Sequence, residues 1–137
     1  MKESRFQFSN PALNKLYFTI NDGFRSDSET ISIETNISTC VGPITNSPKE
    51  SFATVEVTAK IGKEDITQPF FIEAVESAAF KWETEAYSQE DIEVLLRKNA
   101  AALLISYLRP IISNISSFSR YPTYYLPYVD LSSNKEE

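Results

Sequence analysis

Histidine is absent from the 137 residues, cysteine occurs once and glycine three times. Without histidine there is no His-based triad, no imidazole metal ligand and no side chain whose ordinary titration falls near neutral pH. The lone Cys40 cannot close an internal disulfide. With no base to activate its thiol, it reads as a small strand residue and not as a nucleophile. The start, MKESRFQF, lacks the apolar run of a secretory signal, so a reducing cytoplasm is the expected location. Positive charge is in the minority: 13 Lys and Arg against 19 Asp and Glu leave a formal charge of −6. That balance argues against binding nucleic acid, because no basic patch exists to neutralise phosphates. No phosphate loop, metal cluster or nucleophile–base pair is present. The adjacent acids Glu83/Glu85 and Glu90/Asp91 read as a solvated face and a helix-dipole complement, not as an acid/base pair. No enzyme activity and no cofactor are expected.

What the chain has is apolar side chains, 42% of the total, enough for a core and too many for disorder. The length fits a single domain, residues 1–137. The stretch Ser88 to Phe118 reads as one long helix. Ser88 is placed to cap it, with Gln89, Glu90 and Asp91 in the first turn where acids suit the dipole. Ile92, Leu96, Leu103 and Tyr107 form one stripe, which Leu95, Leu104, Ile105, Leu108 and Ile112 widen far round the cylinder. A helix apolar on most sides needs cover on most sides. One sheet supplies one cover, so a second subunit is the expected other. Pro110 removes a backbone donor and crowds the preceding turn, which predicts a kink or break near Leu108–Arg109. A membrane span is excluded because Arg97, Lys98, Asn99 and Arg109 interrupt the run, leaving less than the ~18 clean apolar residues required.

Upstream, the two-residue alternation of strands recurs four times. Phe6–Phe8 and 13–21 make a first strand, broken at Asn10–Pro11 because proline lacks the ladder donor. Ile31, Ile33, Thr35, Ile37 and Thr39 mark a second. Ala53, Val55, Val57, Ala59 and Ile61 mark a third, the most regular. A fourth runs from Pro69 to Glu83, with Phe70, Ile72 and Ala74 on one face, a slip near Val75–Glu76, and Phe80 and Trp82 resuming the phase. Short connections, including turn chemistry at residues 42–48, predict an antiparallel sheet with one apolar face against the helix. The small residues Ala53, Ala59 and Ala74 would let the helix lie close. The fold class expected is therefore α+β: a four-stranded antiparallel sheet followed by one long, proline-kinked helix. Phe24, alone in a polar loop, either anchors that loop in the core or serves as an exposed contact.

After the helix, SRYPTYYLPYVDL (119–131) carries four tyrosines and two prolines. It is expected to be extended, and either packs on the sheet edge or lines an apolar groove. Residues 1–5 and the acidic 132–137 read as a frayed start and a disordered tail.

This order of elements resembles SecB, the bacterial protein-export chaperone family. The likeness is carried by FQFSNPALNKLYFTIN at residues 6–21, by VEVTAKIGKEDITQPFFIEAVESAAFKWE at 55–83, and by NAAALLISYLRPIISNISSFSRYPTYYLPYVDL at 99–131. It includes the proline within the helix and the pairs Tyr121–Pro122 and Leu126–Pro127. The resemblance implies a homotetramer, a dimer of dimers, with helices sandwiched between sheets and Leu96, Leu103, Leu104, Tyr107 and Leu108 at the interfaces. It implies ATP-independent holding of unfolded polypeptides, whether exported preproteins or one dedicated client such as an antitoxin. The alternative is an assembly protein of the same fold that binds no client. By this analogy the groove residues are Phe118, Tyr121, Tyr124, Tyr125, Leu126 and Tyr128, with Phe24 and Trp82 beside them. Two departures stand out. The family's second C-terminal helix has no counterpart here. The outward positions of the first strand, acidic in export members that dock on the SecA motor, are Lys15, Tyr17 and Thr19, which puts docking to SecA in question.

Overall fold

The computed structural model describes residues 5–26 and 30–128. In chain order the described residues contain β1 (Phe6–Phe8), β2 (Ala12–Ile20), β3 (Thr35–Val41), β4 (Thr45–Asn46), β5 (Glu50–Gly62), β6 (Phe70–Glu83), α1 (Gln89–Val94), a π-helical stretch (Leu95–Ala100) and α2 (Ala101–Ser116). The last three follow one another without a gap. The strand pairings are antiparallel throughout. The fold is thus α+β with one C-terminal helix, but the sheet has six strands and not the expected four.

The extra strands arise where proline cannot donate to a ladder. Pro11 divides the first strand into β1 and β2, both of which pair with β6. Gly42–Pro43 ends β3, and the expected turn after it contains β4, which pairs with β5 as β3 does. The six strands therefore stand in four ranks: β1 with β2, then β6, β5, and β3 with β4. The second strand begins at Thr35, not Ile31. Part of the gap before it lies outside the described residues, as do residues 1–4 of the expected frayed start and the expected tail, 132–137.

The long strands β5 and β6 form the floor of the core. Alternate residues Ala53, Val55, Val57, Ala59 and Ile61 of β5 face the helix, as do Phe70, Ile72, Ala74, Ala78, Phe80 and Trp82 of β6, all buried. The slip expected near Val75–Glu76 does not occur in the backbone. Register with β5 is unbroken from Glu50 to Gly62. The sequence only looks out of phase because the inward position at the middle of β6 is a glutamate. Glu76 is 3% exposed and one of its carboxylate oxygens has no hydrogen-bond partner. Burial raises its pKa above the ordinary glutamate range.

On this floor lie Ile92, Leu96, Ala100, Ala101, Leu104, Ile105, Leu108 and Ile112, spaced to give one buried stripe. Ser88 caps the helix as expected, its hydroxyl accepting from the Asp91 N–H at 3.1 Å. The helix does not break at Pro110: α2 runs through it to Ser116. Pro110 is exposed, so the carbonyl it leaves unpaired one turn back, on exposed Ser106, faces solvent and costs little. The irregularity lies instead at Leu95–Ala100, where the helix is wound as π.

Gly62 closes the β5–β6 connection at φ 79°, and a Cβ there would meet the Phe70 carbonyl oxygen at 2.0 Å. Gly62→Ala should therefore destabilise by well over ~1 kcal/mol, the ordinary cost of losing glycine's freedom. Leu108→Ala, which empties a fully buried site, should cost about 2–5 kcal/mol. Urea unfolding followed by Trp82 fluorescence measures both.

Candidate functional site

The residues after α2 form an extended strap alongside the helix. Pro122 and Pro127 keep it from winding up. Its first anchor is Ser116, whose buried hydroxyl accepts from the Tyr124 N–H at 2.9 Å. Ser119 performs the same service for the Tyr121 N–H at 3.2 Å. The second anchor is Arg109. Its guanidinium donates to the carbonyls of Leu126 and Pro127 at 2.8 and 3.2 Å, so two planar donors hold two successive peptide groups. The Tyr124 hydroxyl bonds Thr35 Oγ1 at the start of β3.

Held this way, the strap's side chains divide. Leu126 is buried at 3% exposure. Tyr121 and Tyr124 are half-buried and pack against the core. Tyr121 meets Phe24 edge-on at 5.8 Å and Phe70 at 6.4 Å. Phe118, Tyr125 and Tyr128 point away, 73%, 73% and 87% exposed. Aromatic rings this open to water carry an unmet hydrophobic potential that binding would satisfy.

The groove expected from sequence is thus partly reassigned. Phe118, Tyr121, Tyr124, Tyr125, Leu126 and Tyr128 lie along the strap or at its start, but Leu126 is buried and offers no surface. Phe24 belongs to the core, buried at 8%, resolving its two readings in favour of the anchor. Trp82 is also core, 3% exposed and packed beside Phe6 at 6.0 Å, because position 82 is in the inward phase of β6. Of the expected interface residues, Leu96, Leu104 and Leu108 are consumed by the chain's own sheet. Leu103 is half-buried, and Tyr107 is 41% exposed.

A second apolar surface is not legible in the alternation of the sequence. Phe8, Leu13 and Leu16 pair with Phe80, Glu76 and Ala74, which sets them on the helix side of the sheet. They remain 46%, 41% and 42% exposed. A helix ~10 Å across covers about two ranks of strands ~4.8 Å apart, so the β1/β2 rank is covered only in part: Phe6, Phe18 and Ile20 pack against the core, and the inner face between them stays open. The signal for it is the number of ranks set against a single helix.

On the opposite face, Lys15, Tyr17 and Thr19 do point outward, paired with Val75, Glu73 and Phe71. Lys15 forms an ion pair with Glu73 at 3.1 Å. The Tyr17 hydroxyl donates to Glu64 at 2.9 Å, and this bond to a carboxylate raises the phenol's pKa. Among the described residues no group of three or more Cys, Asp or Glu is placed to hold a metal ion, and no helix is long and apolar enough to cross a membrane.

No family model and no curated protein sequence matches the chain. Solved structures do. The SecB-like chaperone Rv1957 of Mycobacterium tuberculosis, in complex with a ChAD peptide from the Rv1956 HigA1 antitoxin, superposes with a TM-score of 0.61. The match covers 92% of this chain and 91% of that one at 12% identity. The fold is SecB-like. A Streptococcus agalactiae protein of unknown function shares it, with a TM-score of 0.60, 16% identity, and 90% and 97% of the two chains covered. Identity this low establishes the common SecB-like architecture and nothing finer.

Arg109 should hold the strap down. Arg109→Ala removes hydrogen bonds from a charged donor, worth about 1–3 kcal/mol in a partly buried setting. We expect limited proteolysis to cut between Arg120 and Tyr128 faster in this variant, while Arg109→Lys, which cannot span both carbonyls, falls between.

Proposed function

We propose that this protein is an ATP-independent chaperone that holds non-native polypeptides against the exposed aromatic residues of the strap, in the cytoplasm and without catalysis. The observation that carries this reading is the outward set Phe118, Tyr125 and Tyr128, kept open by a strap whose other residues are tied down. A ring surface fixed on a rigid support accepts many sequences, because apolar burial is non-directional. The SecB-like fold supports the reading, as does a neighbour of that fold in complex with an antitoxin peptide. The client is either a range of preproteins or one dedicated partner. Docking to SecA is disfavoured by the lysine and hydroxyl chemistry of the outward β2 face.

The working form in this proposal is a homotetramer, a dimer of dimers. The exposed row Phe8, Leu13 and Leu16, with Tyr107 on the helix, is apolar surface of the kind that association covers. The same exposure favours a second reading, an assembly protein whose aromatic residues meet only other copies of itself.

A single triple substitution separates the two. Phe118→Ser, Tyr125→Ser and Tyr128→Ser together alter only exposed side chains and should leave the melting temperature within a few degrees. If clients are held there, the variant keeps its mass by light scattering. It then loses suppression of aggregation when a denatured test protein is diluted into ATP-free buffer. Unchanged suppression would refute the strap as the holding surface. A fall in mass would assign these residues to self-assembly.

A further inference from the structure

Two irregularities meet at the middle of β6. Glu76 is buried in the inward phase with one carboxylate oxygen unpartnered. Across from it on β2 the ladder is broken: Leu13 pairs with Glu76 and Lys15 with Val75, so Asn14 is an extra, bulged residue. Bulges concentrate where a protein functions or moves, and a buried polar atom without a partner requires an explanation.

From these we propose that Glu76 is a protonation switch for the seam between β2 and β6. With the carboxyl neutral, the seam is closed. Loss of the proton to solvent leaves a charge that nothing nearby balances. Leu13 on β2 and Val57 on β5 flank Glu76 on the same face. The helix residues turned to the sheet, Leu96, Ala100, Ala101 and Leu104, are apolar. The charged groups of the neighbouring elements lie elsewhere. Lys15, Glu73, Glu56 and Lys60 are in the outward phase of their strands. Arg97 and Lys98 are exposed, and Arg109 is committed to the strap. The nearest route to water is past the half-exposed Leu13 and Leu16, where the bulge already weakens the ladder. Ionisation therefore loosens β2 and opens the inner face beside it.

The sign follows from burial, which raises the folded-state pKa. The closed seam is fully favoured below the unfolded glutamate value of ~4.3 and is lost as pH rises through the raised folded value. This device is independent of client binding, and so is its test.

The test is amide exchange of residues 12–17, corrected for intrinsic rates, from about pH 5 to about pH 9. In the wild type, protection of these residues should fall by up to about tenfold per pH unit between the open-state value of ~4.3 and the raised folded-state pKa, and level off above it, while that of β3 and β5 stays level. Glu76→Gln should abolish the response. Glu73→Gln, on the outward face, should keep it. Glu76→Met serves if the amide does not fold, and should also be level. A wild type whose protection is flat, a Glu76 variant that responds like the wild type, or a response lost in Glu73→Gln would each overturn the proposal.

Discussion

One constraint governs this fold: a single helix is laid across a sheet wider than itself. The central ranks β5 and β6 are sealed under Ile92, Leu96, Leu104, Leu108 and Ile112, and that contact is where the burial free energy concentrates. The outer ranks receive cover from elsewhere or only in part. On the β3 side the chain covers itself, by turning at Ser116 and laying its extended strap back along the helix. On the β2 side cover is partial: Phe6, Phe18 and Ile20 pack against the core, while Phe8, Leu13 and Leu16 stand half in water. Both surfaces to which a function can be given are consequences of that mismatch in width.

The strap shows how a small chain exposes aromatic rings without losing its shape. Its backbone is satisfied by side chains of the helix, Ser116 and Arg109, and not by a strand partner. Prolines suppress the helical alternative. Tyr121 and Tyr124 supply inward packing, with the Tyr121 ring against Phe24 and Phe70. Each inward group reduces the entropy of the segment, so that the outward rings are presented on a fixed frame and bind without first being ordered.

Much of the fold is legible in the amino-acid sequence. The Ser88 cap, the strand phases of β5 and β6, the break at Pro11 and the extended tyrosine segment all follow from local chemistry with period 2 or 3.6. The points of difference have a common source, which is that local pattern does not reveal the third dimension. Glu76 reads as a slip in register because an acid in an inward position is rare, yet the backbone is regular there. Pro110 reads as a kink or break, yet no break occurs: its lost hydrogen bond falls on the solvent side and α2 continues. Trp82 and Leu126 are contact residues by type and core by position. Leu96, Leu104 and Leu108 suggest a partner because the helix is broadly apolar, whereas the chain's own sheet takes them. Of the candidate site, the strap and its aromatic content are legible. Which rings turn outward is not, because that is fixed by the distant anchors Arg109 and Ser116.

The central claim is that non-native polypeptide rests on the outward side of the strap. It is tested most directly by photo-crosslinking, with the probe placed at position 125, at 118, and, as a control, at Lys60 on the outward face of β5, in the presence of an unfolded polypeptide. The account predicts crosslinks from 125 and 118 that a folded form of the same polypeptide does not give, and none above background from 60. Equal crosslinking from all three positions, or none from 125, would contradict it.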